Sequence, residues 1–114
     1  RPFRLRALRS AWLCDGLAEE AAACGIATNR GFAGFYNFSA RADFGRLFGD
    51  FVTAPGAAPL VMVHPGANDA PGDSIAAARV NEARFLGSAA FPALLAARGL
   101  QLARGSTLLK AAAA

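Results

Sequence analysis

The chain has 114 residues, 54% apolar and 10% aromatic, with a net charge of +4. That is enough for one modest core, and it sets the sequence apart from disordered chains. No apolar run reaches the roughly 18 to 20 residues of a membrane span, no stretch reads as a secretory signal, and the eleven Arg and single Lys110 are scattered without interleaved aromatics, which argues against nucleic acid as a partner.

Arg1, Arg4, Arg6 and Arg9 are the one local concentration of charge and read as a solvated strand-to-helix junction. From about Leu8 to Cys24, Leu13, Leu17, Ala21 and Cys24 recur at helical spacing, and Gly25 supplies a stop. Cys14 and Cys24 would then lie about 15 Å apart on one helix, whereas bridged Cα atoms sit about 4.4 to 6.8 Å apart. Two unpaired thiols, buried or half-buried, suit a reducing cytoplasm. Ile26 to Thr28 is a candidate short strand, broken by Asn29-Arg30-Gly31 before the aromatic loop Phe32 to Phe38.

Ser39 is the expected N-cap of the next helix, whose Phe44, Leu47, Phe48 and Phe51 fall at i, i+3, i+4 and i+7 and form one core-facing stripe. A connector with Pro55, Gly56 and Pro59 feeds the apolar run Leu60-Val61-Met62-Val63, a buried strand ending at His64-Pro65-Gly66. In the polar loop that follows, Asn68 and Asp69 read as turn residues. Ser74 is expected to cap a helix running to about Leu86, with Arg79 and Glu82 one turn apart as an ion pair. Ser88 opens a further helix carrying Phe91, Leu94 and Leu95 and ending at Gly99. Leu100-Gln101-Leu102 reads as a last strand and Ala111 to Ala114 as a low-complexity tail.

Strands separated by helices pair in parallel through right-handed crossovers, so the class is α/β. Three short strands make a thin sheet. Residues 1–114 therefore read as a single partial domain, the C-terminal part of a larger barrel-like unit.

His64 is the only histidine of the chain. An imidazole titrates near neutrality, and a strand end holds it in fixed geometry, which suits proton transfer; a hydrogen-bonded structural histidine is the other reading. Phe32, Phe35, Tyr36 and Phe38 offer aromatic planes to a sugar ring or form a small core under a loop. Asn29 is a polar contact or an Asx-turn residue.

Thr28-Asn29-Arg30-Gly31-Phe32-Ala33-Gly34-Phe35, the Phe-rich helix, Leu60 to Gly66, and Ala78-Arg79-Val80-Asn81-Glu82 with Phe85-Leu86 together resemble the YdjC-like carbohydrate deacetylases, which include chitooligosaccharide and hopanoid-associated deacetylases. The resemblance spans roughly Trp12 to Leu109 and covers the C-terminal portion of that family. It implies a distorted, TIM-like β/α barrel of the polysaccharide-deacetylase type. The implied reaction is hydrolysis of an N-acetyl group from an amino sugar or oligosaccharide, with one divalent metal, Mg²⁺ or Zn²⁺. The metal ligands it implies, an Asp and two His, fall before this region, so none is assigned here. His64 would be the catalytic acid, with Asn29, Phe32 and Phe35 against the substrate. The rival expectation is a non-catalytic binding module derived from the same fold. Oligomeric state is not legible in the sequence.

Overall fold

The computed structural model describes residues 14, 16–29, 31–54, 59–67 and 70–107. Expectations for the Arg1 to Arg9 group, the start of the first helix, Pro55-Gly56, Asn68-Asp69 and the Ala tail lie outside these residues. The described elements are α1 (Leu17–Ala23), β1 (Phe32–Ala33), α2 (Phe44–Phe51), β2 (Leu60–Val61), α3 (Ala76–Leu86) and α4 (Ala90–Ala97). β1 and β2 pair in parallel, Phe32 opposite Leu60 and Ala33 opposite Val61.

Packing is concentrated in α2, α3 and α4, which contact one another pairwise. Phe44, Phe48 and Val52 are buried with Tyr36, and Phe38, Leu47, Phe51, Val61, Val63, Phe85, Phe91 and Leu94 pack around them. The stripe of α2 thus faces the core as its spacing requires. Phe48, Phe85 and Phe91 form a triangle of rings 5.4 to 5.8 Å apart, at separations typical of tilted and edge-to-face pairs. Burying each such ring contributes about 1.5–3 kcal/mol. Arg98, just past α4, donates from Nη1 to the Gly49 carbonyl (3.3 Å) and to Thr53 Oγ1 (3.2 Å), placing a cation at the negative end of α2.

Two helix ends follow the sequence. After α1, Gly25 N–H donates to Ala22 O and Ile26 N–H to Ala21 O; after α4, Gly99 donates to Ala96 O and Leu100 to Leu95 O. Both are Schellman closures, and both glycines are left-handed, φ 70° and 63°.

Elsewhere the structure corrects the sequence reading. Of the described stripe residues Leu17 and Cys24 are exposed and Ala21 is half-buried, and α1 buries no residue; Leu13 lies outside the described residues, and both cysteines are exposed and unpaired. The first strand is Phe32–Ala33 rather than Ile26 to Thr28, because β2 supplies its partner there, with Leu60 N–H donating to Gly31 O and Met62 N–H to Ala33 O. The N-cap of α2 is Asp43, whose Oδ1 accepts from Arg46 N–H (3.0 Å), while Ser39 Oγ closes a local turn to Arg41. Asp73, not Ser74, forms the turn before α3, accepting from Ile75 N–H at Oδ1 and from Ala76 N–H at its carbonyl. Leu100 to Leu102 is not a strand: among the described residues β1 and β2 pair only with each other.

Just beyond the paired residues, Gly34 lies against the Met62 peptide. Gly34 has φ 113°, and a Cβ built there would overlap the Met62 carbonyl oxygen and lie 2.8 Å from its amide nitrogen. Glycine alone lets the chain leave β1 at this separation, and Tyr36 and Phe38 thereby reach the end of β2.

Candidate functional site

β2 stops at Val61, with Leu60 exposed and Val61 half-buried, so the apolar run is not the buried strand to Val63 that its composition suggests. His64 lies three residues beyond β2, and its main chain is strapped to α3 on both sides. Its N–H donates to Glu82 Oε2, and its carbonyl accepts from Arg79 Nη1 at 3.4 Å. Gly66 N–H donates to the Arg79 carbonyl at 3.1 Å, so the His-Pro-Gly segment follows the first turns of α3. Arg79 is itself held by Asp73, Nε to Oδ2 at 2.6 Å. The backbone hydrogen bond from Ile75, with the Arg79 contact second, holds the Asp73 carboxyl below the usual carboxylate range.

The expected pair between Arg79 and Glu82 is therefore not formed. Arg79 turns toward Asp73 and His64 O, while Glu82, fully buried, turns to the opposite neighbours. Its Oε1 accepts from the Tyr36 hydroxyl at 2.6 Å and its Oε2 from His64 N–H. A buried carboxylate is tolerated only when its lone pairs find donors, and here both oxygens do. Burial, then the hydrogen bond to Glu82 and its charge, pushes the Tyr36 hydroxyl pKa well above its ordinary value.

The His64 ring lies edge-on to Phe38, centroids 5.1 Å apart and planes at 89°. Phe38 in turn packs on Tyr36 at 4.6 Å and holds a left-handed backbone, φ 54°, which is costly for an aromatic residue. The His64 side chain is 22% exposed, yet its Nδ1 is buried, 3.8 Å from Glu82 Oε1, with no hydrogen bond among the described residues. The exposure therefore falls on the rest of the ring, away from Glu82.

Of the other sequence candidates, Phe32 and Phe35 are 49% and 43% exposed, their rings 5.4 Å apart, so they form a surface aromatic pair rather than a core. Tyr36 and Phe38 take the core alternative. Asn29 is exposed, and its side-chain amide donates to the Gly31 carbonyl at 2.8 Å, a local contact but not an Asx turn, in which Oδ1 would accept an N–H. Sequence reasoning missed Glu82 as a site residue. The signal was its register: with Ala78 at i−4 and Phe85 at i+3 it falls on the buried face of α3.

The geometry offers one oriented imidazole with a buried carboxylate behind it and an aromatic pair on the neighbouring strand. No group of three or more His, Cys, Asp or Glu able to hold a metal ion occurs among the described residues. Nor is any described helix long and apolar enough to cross a membrane. No family model, curated protein or solved structure matches the chain.

Proposed function

We propose that this chain is the C-terminal part of a metal-dependent carbohydrate deacetylase and that His64 protonates the amine leaving an N-acetylated sugar. The observation that carries the reading is the strapped segment after β2: His64 is fixed through both its N–H and its C=O, and its side chain is 22% exposed although Nδ1 is buried. Amide cleavage stalls unless the departing nitrogen gains a proton as the C–N bond breaks. An imidazole held in one place supplies it, and such positioned proton transfer is worth about 10²- to 10⁴-fold in rate.

Phe32 and Phe35 give exposed apolar ring surface on which the apolar face of a sugar stacks, and Asn29 lies three residues before Phe32. The groove beside β2, about 380 Å³ and lined by Leu60, Val61, Phe91, Leu95 and Leu102, suits a sheet that continues into further strands. The described residues do not themselves make a metal site. Mg²⁺ or Zn²⁺ would be held by other side chains. The same observation favours a second reading, a binding module of this fold without catalysis.

The test is acetate release from N-acetylated chitooligosaccharides by the natural full-length protein with Mg²⁺ or Zn²⁺. His64→Ala is expected to lower kcat by about 10² to 10⁴, with KM and thermal stability little changed. A wild-type protein that binds these sugars without releasing acetate supports the module. Near-normal turnover by the folded variant removes His64 from the reaction.

A further inference from the structure

We infer that Glu82 is a positioning residue that fixes the tautomer of His64, holding the proton on Nδ1 and leaving Nε2 as the nitrogen that works. Nδ1 is buried, no described hydrogen bond reaches it, and the polar atom recorded facing it is Glu82 Oε1 at 3.8 Å. That is roughly 0.8 Å beyond an N–H···O bond of about 3.0 Å, a gap that a small ring rotation closes. Of the two tautomers, the one with Nδ1–H points a donor at a carboxylate, and the other points a lone pair at it. The partner of one ring nitrogen decides where the proton sits on the other.

The neighbouring charges do not compete. Arg79 is engaged by Asp73 and by the His64 carbonyl, and Tyr36 donates to Glu82 rather than to the ring. Phe38 closes over the imidazole with an apolar edge contact. Glu82 thus sets His64 twice: Oε2 anchors its backbone and Oε1 sets the face of its ring. In the deacetylase reading, on which the role in turnover rests, Nε2 gives its proton to the leaving amine. The neutral ring that remains carries Nδ1–H toward Glu82, so the carboxylate keeps the ring in one orientation through the transfer, while its charge favours the imidazolium that precedes it.

The experiment is ¹⁵N spectroscopy of ring-labelled histidine in the full-length protein, with the His64 signals identified by their loss in His64→Ala. Above the imidazole titration the wild type is expected to show the Nδ1–H tautomer, the reverse of the Nε2–H form that free imidazole side chains prefer in water. Glu82→Gln keeps the size of the side chain and an acceptor for His64 N–H, and Tyr36 can accept from its amide. It removes the charge facing Nδ1, and the Nε2–H form is expected to become the major one. Tyr36→Phe frees Oε1 of a competing donor and is expected to keep Nδ1–H.

An Nε2–H wild type, or a Glu82→Gln protein with unchanged tautomer, overturns the inference. These readouts need no substrate, so they separate the two claims. An Nδ1–H tautomer lost in Glu82→Gln alongside full acetate release by His64→Ala upholds Glu82 and ends the deacetylase role of His64. An Nε2–H wild type whose His64→Ala variant is inactive does the opposite.

Discussion

α1 and α2 are nearly equal in length, seven and eight residues, and are built on opposite principles. Leu-Ala-Glu-Glu-Ala-Ala-Ala is rich in good helix formers and buries nothing, whereas Phe-Gly-Arg-Leu-Phe-Gly-Asp-Phe carries two glycines, each costing about 0.8–1.0 kcal/mol against Ala, and buries Phe44, Phe48 and Gly49. Propensity favours the first, though seven residues are too few for propensity alone to hold a helix in water. The second is helical because its stripe meets α3 and α4, and an isolated peptide of its sequence should not hold the form.

The sharpest way to break that contrast is Phe48→Ala. It removes the ring that contacts Phe44, Phe85 and Phe91, and should cost about 3–5 kcal/mol in urea denaturation. If the cost is under 1 kcal/mol, α2 is not held by packing.

Glu82→Leu should follow at about 2–4 kcal/mol, because the Tyr36 hydroxyl and His64 N–H lose their acceptor inside the core. Alkali reads the same contact through Tyr36, whose pKa is raised on folding. Such a group stabilises fully below its unfolded value, near 10, and that stability is lost as pH rises from there toward the folded value. The melting temperature of the wild type should therefore fall more steeply above pH 10 than that of Tyr36→Phe. Parallel curves for the two proteins would remove Tyr36 from the linkage.

Asp43→Ala tests a local contribution to α2 and should cost about 1 kcal/mol by removing the cap on Arg46 N–H. Leu17→Ala should be the smallest effect, under about 0.5 kcal/mol by the same denaturation, since its side chain is exposed. A loss above 1 kcal/mol there would mean that α1 is packed after all.

What could be read from the sequence follows from the range of the interactions. The α2 stripe and the glycine stops of α1 and α4 are set by residues within a few positions of each other, and the structure has them where the spacing put them. The apolar run before His64 does not belong with these, since only Leu60–Val61 finds a strand partner and neither residue is buried. The position of β1 was not legible, because a two-residue parallel pairing depends on where β2 lies, some 28 residues later in register. Glu82 was hidden for the same reason: its donors stand 46 and 18 residues away, and nothing adjacent in sequence announces them. Ser39 gave way to Asp43, whose Oδ1 accepts from Arg46 N–H, and α3 has Ile75 at its N-cap without a side-chain cap, after a turn closed by Asp73 rather than Ser74. Leu100 to Leu102 has the composition of a strand, but strand composition takes effect only beside a partner edge.

The crossing at Gly34 has a genetic consequence. Every codon change that replaces this glycine adds at least a Cβ, and that atom lands on the Met62 peptide, which cannot swing aside as a side chain can. Gly25 and Gly72 have open space around the same hypothetical atom and face only the penalty of their backbone angle. In a library of all single substitutions, position 34 should therefore be an almost empty column, while 25 and 72 retain their small and Asn variants. Drift is closed where a side chain at position 34 would meet the Met62 peptide.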